Sequence, residues 1–227
     1  MFENTDVQTL DIGSLSKFYK RQQIYIMYFY NPKLPECKRF EEEYTKIASK
    51  LYGIIQVGAI DCLREEELCE EFGVFDIPQI MIFSEQLSDD GERYKGKMEF
   101  AAIAGKASAK MQSFVSSINN DNYDSWYNRE EKKNKVVLFT DSKKTPTLYK
   151  ALSKRYNDRL SFGEVRKSEE ELCKKFGITE FPTLVALKNP STMEVVKYEG
   201  EMNVDQMGKF LSAQAAETPK KIVKTEF

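Results

Sequence analysis

The chain has 227 residues, of which 41% are hydrophobic and 31% charged, and its 34 basic and 36 acidic side chains nearly cancel. This composition is typical of a globular chain with two ordinary domains, and no stretch approaches the roughly 18 apolar residues of a membrane span. The charge balance argues against a nucleic-acid partner, and the absence of histidine removes the commonest general base and zinc ligand.

The first predicted strand is the apolar run Ile24 to Tyr30, which leads through a proline turn into a helix beginning near Pro35. Apolar residues then recur at three- and four-residue intervals, so one face of this helix is expected to be buried. That face contains Leu34, Cys37, Phe40, Tyr44, Ile47 and Leu51. In this position Cys37 is expected to behave as a small buried side chain rather than as a reactive thiol.

A strand "IIQVGAID", a short charged helix and a strand "QIMIF" follow, with Pro78 directly before the last strand. Cys62 stands at the end of the first of these strands, and Cys69 lies in the short helix. From the residues alone, the two cysteines are either a disulfide or two free buried thiols.

An internal repeat organises the whole chain. The segment "EEELCEEFGVFDIPQIMIF" recurs as "EEELCKKFGITEFPTLVAL", which places Cys69 on Cys173 and Pro78 on Pro182. Strands alternate with helices in both copies, which predicts the α/β class. The predicted domains are residues 1–120 and 121–217, followed by a flexible tail at residues 218–227.

The order of "FYNP", helix, "DC", "FGV", X-Pro and "YKG" resembles the thioredoxin-like a-type domain of the protein disulfide isomerase family. The second copy, with "LFTDSKKTPTLYKAL" and "FGITEFPTLVAL", is similar to the b-type domains of that family. The resemblance implies two tandem thioredoxin-like domains, each a mixed central sheet flanked by helices. It also implies that Pro78 and Pro182 are the cis-prolines of the family, each facing a helix start.

The same resemblance places the family's Trp-Cys-Gly-His-Cys site on the segment from Lys33 to Cys37, where only the last cysteine is present. Leu34 stands where the family has its nucleophile, and Tyr28 stands where it has a buried glutamate. Without the first cysteine there is no exposed thiolate at the helix start. The degenerate site, with Leu34 and Cys37 at its former cysteine positions, predicts a redox-inactive chain with no catalytic residues.

Some a-type domains of the family carry a non-catalytic disulfide at the positions of Cys62 and Cys69, and the resemblance implies the same pair here. A disulfide favours the lumen of the endoplasmic reticulum. Neither end of the sequence carries a secretory or retention signal, so a cytosolic, ciliary or mitochondrial location is the alternative. The remaining cysteine, Cys173, is expected to pack in the second core.

The resemblance further implies peptide binding around the prolines, through Leu34, Ile77, Pro78, Phe181 and Pro182. The expected function is a redox-inactive binding module with a chaperone or scaffold role, and its partners are polypeptide clients or a protein complex. The alternatives are a thiol-disulfide oxidoreductase or isomerase that uses Cys37 alone or the pair Cys62 and Cys69, and an architectural subunit of a larger complex.

Charge runs such as "REEEL" and "KSEEEL" lack the alternating oxygen ligands and central glycine of a calcium loop. They are interpreted as solvated helix faces. The sequence therefore predicts neither a metal site nor a cofactor.

Overall fold

The structure, a computed structural model, describes residues 1–86, 88–130, 132–189 and 194–216. The chain divides into two compact units, Met1–Met111 and Gln112–Phe227. The structural boundary lies before the expected division at residues 120 and 121, because strand Val115–Ile118 pairs within the second sheet. The polar residues near position 120 therefore form a turn inside the second unit. The tail expected at residues 218–227 lies outside the described residues.

Unit 1 contains a five-stranded mixed sheet in the order β1-β3-β2-β4-β5. Strand β3 is parallel to β1 and β2, whereas β4 is antiparallel to β2 and β5. The elements are β1 (Gln8–Thr9), α1 (Ser16–Tyr19), β2 (Tyr25–Tyr30), α2 (Pro35–Leu51), β3 (Gln56–Asp61), α3 (Glu66–Glu71), β4 (Gln79–Phe83), β5 (Glu92–Arg93) and α4 (Phe100–Ala109).

Unit 2 repeats this topology with the strand order β10-β9-β7-β8-β6. This architecture confirms the α/β class predicted from the alternation of strands and helices, and the two mixed sheets flanked by helices that the family resemblance implies. The elements are β6 (Val115–Ile118), α5 (Tyr123–Asn128), β7 (Asn134–Thr140), α6 (Thr147–Tyr156), β8 (Leu160–Arg166), α7 (Glu170–Lys175), β9 (Thr183–Asn189), β10 (Glu194–Lys197) and α8 (Val204–Ala216). Within the described residues, no helix is long and apolar enough to cross a bilayer.

Strand register brings three separate segments of unit 1 to one end of its sheet. Tyr30, the last residue of β2, pairs with Asp61 at the end of β3, and Phe29 pairs with Gln79 at the start of β4. The start of α2, the turn after β3 and the segment before Pro78 therefore share this end, which we call the first site edge.

Unit 2 has a corresponding second site edge. Thr140, at the end of β7, pairs with Arg166 at the end of β8, and Phe139 pairs with Thr183 at the start of β9. The start of α6, the turn after β8 and the segment ending at Pro182 therefore lie together.

A buried tyrosine fixes the long helix over the sheet in each unit. The Tyr44 hydroxyl in α2 lies 3.2 Å from the Ile26 carbonyl and 2.7 Å from the Gly58 carbonyl, on two neighbouring strands. Tyr149 in α6 makes the same contacts in unit 2, at 3.2 Å to Val136 and 2.8 Å to Gly163. A phenol that reaches two strands restricts how the helix sits on the sheet, which positions the helix start at each site edge.

Candidate functional site

The helix start at the first site edge is apolar. Leu34 is the residue before α2, with an extended backbone at φ −78° and ψ 130°, and Pro35 is the first helical residue. A residue before proline avoids helical geometry, and proline is favoured in the first turn, so the sequence itself sets this boundary. Leu34 is half-buried and offers no polar atom in its side chain. No nucleophile stands at this position.

Cys37 lies one turn into α2 and is 0% exposed, as its place on the apolar face predicts. The Tyr28 hydroxyl is also buried, and it has no hydrogen-bond partner in the described part of the chain. Burial is the main cause that raises the pKa of Tyr28, and the neighbouring Cys37 side chain raises it further. Tyr28 packs at 5.4 Å from the Phe40 ring and 4.8 Å from the Tyr44 ring. The thiol is therefore enclosed beside a phenol that stays protonated at neutral pH.

Cys62 and Cys69 form a disulfide with an S–S distance of 1.99 Å. Both are buried, at 8% and 2% exposure, and they belong to a cluster that also contains Leu68 and Val74. The Cys62 N–H donates to the carbonyl of Tyr30 at 2.8 Å. The disulfide therefore ties α3 to the end of β3, next to the start of α2.

Cys173 occupies the equivalent of Cys69 in unit 2 and is a free, buried cysteine. Its Sγ lies 3.9 Å from the carbonyl oxygen of Arg166. Burial is the main cause that raises the pKa of its thiol, and the negative charge of Glu169 raises it further. Lys167, whose N–H donates to the Thr140 carbonyl at 2.9 Å, stands where unit 1 has Cys62. Cys173 therefore lacks the partner that Cys69 has.

The peptide bonds Ile77–Pro78 and Phe181–Pro182 are both cis, as the resemblance implies. Ile77 and Phe181 are half-buried and pack against the cores of their units. Pro78 is half-buried, whereas Pro182 is exposed. The predicted site residues of each unit thus lie at that unit's site edge.

Sequence reasoning missed two exposed apolar residues at the first site edge. Phe75 is 75% exposed in the turn before Ile77, and Leu63 is 45% exposed in the turn after Cys62. An aromatic residue next to Asp76 in the short turn segment "GVFDIP" is the signal that could have identified Phe75. We call Leu34, Leu63, Phe75 and Ile77 the first apolar patch.

At the second site edge, a network of polar side chains fixes the turn before the helix start. Glu164 is buried, and its Oε1 accepts from Thr145 at 2.9 Å and pairs with the Arg166 guanidinium at 2.6 Å. Arg166 also donates to the carbonyl of Ser142. This network anchors the turn between β7 and α6, where no cysteine occurs.

The described part of the chain contains no group of three or more histidine, cysteine, aspartate or glutamate side chains that could hold a metal ion. The chemical groups present at the two edges are apolar side chains, a buried disulfide, two enclosed thiols and fixed charges.

Residues 13–109 match the thioredoxin family, and residues 117–214 match the second thioredoxin-like domain of DJC16. A Dictyostelium discoideum protein named "Putative protein disulfide-isomerase" is 33% identical over 84% of this chain and 47% of its own length. The protein disulfide-isomerase of Arthroderma benhamiae is 26% identical over 94% of this chain and 40% of its own length.

Among solved structures, full-length ERdj5 superposes with a TM-score of 0.66 at 16% identity, over 93% of this chain and 33% of ERdj5. At that identity the likeness shows the fold alone. The chain spans less than half the length of each of these three proteins. Two thioredoxin-like matches in tandem, with relatives named protein disulfide-isomerase over most of the chain, show that it belongs to the protein disulfide isomerase family of the thioredoxin superfamily.

Proposed function

We propose that the chain is a redox-inactive member of this family that binds polypeptides, as a chaperone or scaffold, through the two site edges. The observation that carries the proposal is the pairing of Leu34 at the helix start with a Cys37 that is fully buried. The proposed contact residues are Leu34, Ile77, Pro78, Phe181 and Pro182.

Redox inactivity follows from what thiol-disulfide exchange requires. A thiolate must approach a disulfide sulfur in line, so the attacking thiol has to be exposed and partly ionised. Leu34 cannot form a mixed disulfide, and Cys37 is fully buried next to the Tyr28 hydroxyl. The buried Cys62–Cys69 disulfide presents neither sulfur to a second protein, which argues against its use as an unconventional redox pair.

Polypeptide binding is supported by the first apolar patch. Large side chains such as Phe75 lie exposed at the edge where the helix start and the cis-proline segment meet. Covering roughly 100 Å² of such a surface would contribute about 2.5 kcal/mol. A partner chain that covers several of these residues would therefore gain a favourable apolar contribution, which has to exceed the entropy cost of association before binding is measured.

We further propose residence in the lumen of the endoplasmic reticulum. A disulfide persists in an oxidising compartment, and the relatives named protein disulfide-isomerase support the same assignment. The test is imaging of the tagged protein in cells. A cytosolic, ciliary or mitochondrial signal would contradict this location.

Binding is tested with labelled, chemically unfolded client chains titrated against the wild type and the variants Ile77→Asp and Phe181→Asp. Each variant places a carboxylate in a half-buried apolar position, and we expect each to weaken binding at least about fivefold. The control is Tyr52→Asp, because Tyr52 is an exposed aromatic residue at the far end of α2, away from the first site edge.

Redox activity is measured in parallel as the rate of reduction of a disulfide substrate by the wild type. We expect no acceleration over buffer with reductant alone. A rate enhancement that disappears in Cys37→Ser or Cys62→Ser would establish the oxidoreductase alternative. If both aspartate variants bind unfolded clients as the wild type does, and the chain co-purifies with one stoichiometric partner, the alternative of an architectural subunit is favoured.

A further inference from the structure

Unit 1 has a groove at the first site edge, beside the paired strands β1 and β3. The groove has a volume of about 380 Å³ and is lined by the chain before and after β1, by the end of β2 and by the turn after β3. Its acidic lining residues are Glu3, Asp11, Asp61 and Glu65. We call these residues, together with Tyr30 in the lining, the acidic groove.

Carboxylates outnumber cations in and around the acidic groove. The cations in its lining are Arg64 and the amino group of Met1. Arg64 neutralises little of the charge, because it is 83% exposed and its Nε lies 3.8 Å from Asp61 Oδ2. The other three carboxylates have no ion pair within the described residues. The excess grows when neighbours close along the chain are counted, which are Asp6, Glu66, Glu67 and Lys33.

The Tyr30 hydroxyl is a second feature of the groove. Tyr30 is only 5% exposed, yet its hydroxyl has no hydrogen-bond partner in the described part of the chain, whereas buried polar groups normally have one. The ring is held 5.3 Å from the Phe2 ring and 5.7 Å from the Tyr28 ring. Burial is the main cause that raises the pKa of Tyr30 to about 12, and the negative charge of Asp61 raises it further. The hydroxyl therefore stays neutral, and its oxygen is free to accept a hydrogen bond.

Exposed apolar side chains border the acidic groove. Ile12 is 71% exposed, and its N–H donates to the Glu65 carboxylate at 3.3 Å. Leu63 is 45% exposed, and its N–H donates to the Asp61 carboxylate at 3.0 Å. A ligand that places a cation in the groove therefore meets apolar surface next to it. A polypeptide can use both features, whereas an inorganic cation can use only the first.

We propose that the acidic groove binds a cationic side chain of an extended polypeptide segment. The cation pairs with the carboxylates of the groove and donates a hydrogen bond to the Tyr30 hydroxyl oxygen. Apolar residues beside it in the segment pack against Ile12 and Leu63. Charge complementarity selects this side chain over an acidic or uncharged one. The inference rests on the proposed function, that the first site edge binds polypeptide, and specifies the charge recognised there.

The test is fluorescence anisotropy with the full chain and three short labelled peptides that differ only at one central residue flanked by leucines. The central residue is arginine, its uncharged analogue citrulline or glutamate. At low salt we expect the arginine peptide to bind at least about tenfold more tightly than the citrulline peptide, and the glutamate peptide to bind most weakly. The preference for arginine should shrink at about 0.15 M salt, because salt screens exposed charges.

The variant Glu3→Gln/Asp61→Asn should lose about tenfold in affinity for the arginine peptide and leave the citrulline peptide unaffected. Asparagine keeps an oxygen acceptor for the Leu63 N–H, so the turn after β3 is retained. Tyr30→Phe keeps the ring and should lose about fivefold for the arginine peptide, because the hydroxyl acceptor is missing.

Asp90→Asn is the matched control and should change neither affinity. Asp90 is an exposed acid in the loop between β4 and β5, and β5 is the edge strand opposite β1. Equal affinity for the arginine and citrulline peptides, or an equal loss in the control, would overturn the proposal. If Ile77→Asp leaves binding of unfolded clients unchanged while the arginine preference persists, the proposed function fails separately from this cation site.

Discussion

At the residue scale, two residues of the first site edge differ from the pattern that the family resemblance implies there. Leu34 replaces a thiol where the chain enters α2, and Tyr28 places a buried, protonated phenol beside the remaining cysteine. The burial of Cys37 could be predicted because it lies on a periodic apolar face. The exposure of Phe75 could not, because a single aromatic residue in a turn belongs to no periodic pattern.

A thiol at position 34 is expected to react rapidly, whereas the buried Cys37 is not. In the folded wild type, Cys37 should react with a maleimide only as fast as the protein opens. In Leu34→Cys the new thiol lies at the helix start, where N–H groups and the helix dipole favour a thiolate, so labelling should be at least about tenfold faster.

Peptide mapping by mass spectrometry identifies which cysteine carries the label. The control is the same reaction in denaturant, where the two positions should react alike. Rapid labelling of Cys37 in the folded wild type would contradict the burial of this thiol. It would support the alternative of an oxidoreductase that uses Cys37 alone.

At the element scale, the repeat in the sequence predicts the central strands and the helices but not the edge strands of the two sheets. The edge strands β1, β5 and β10 have two to four residues, too few for a hydrophobic alternation to be recognised. Strand β6 lies in unit 2, before the expected division, because its half-polar sequence pairs with a parallel neighbour that is distant in the chain. Parallel strands are joined by a long crossover and not by a short hairpin turn, so no turn motif in the sequence indicates that they pair.

The disulfide between β3 and α3 is expected to stabilise unit 1 alone. Unit 2 holds the equivalent helix α7 by packing of Leu172 and Phe176, without a disulfide. The variant Cys62→Ser/Cys69→Ser should therefore fold, and unit 1 should lose about 2 kcal/mol, the chain-entropy value for so short a loop.

Urea unfolding can separate the two units, because the single tryptophan of the chain, Trp126, is buried in the core of unit 2. Circular dichroism should show an earlier transition in the double serine variant, while the Trp126 fluorescence transition keeps its midpoint. Cys173→Ser is the control: it should shift the Trp126 fluorescence transition and the part of the circular dichroism change that belongs to unit 2, and leave the transition of unit 1 at its wild-type midpoint. A variant with unchanged circular dichroism would show that the disulfide adds no stability.

At the scale of the whole molecule, one topology occurs twice with different side chains at its two site edges. The shared parts are buried, such as the Tyr44 and Tyr149 contacts that join each long helix to two strands. The differences lie at the site edges, where unit 1 has apolar residues and a disulfide and unit 2 has lysines and a buried ion pair. The sequence repeat shows the common core because cores tolerate few changes, whereas edge chemistry depends on contacts that only the fold brings together.

The repeated tyrosine predicts that both units lose stability at alkaline pH. Burial raises the pKa of Tyr44 and of Tyr149 well above the usual value of 10.0. In the unfolded chain these phenols ionise near pH 10, so above that pH the unfolded state releases protons that the folded state keeps. Their stabilising contribution is complete below pH 10 and falls as the pH rises, by about 1.4 kcal/mol per phenol per pH unit.

Urea titrations between pH 8 and pH 11 (about one unit above the pKa of a free phenol) measure this slope. Trp126 fluorescence reports unit 2, and Tyr149→Phe should reduce the alkaline slope of that transition while leaving the slope of unit 1 unchanged. The hydroxyl contacts of Tyr149 should also contribute about 1 kcal/mol at neutral pH, which the same variant measures. An identical alkaline slope in the wild type and Tyr149→Phe would mean that this phenol ionises as readily in the folded unit as in the unfolded chain, and the two-strand anchor would not be a rigid part of the fold.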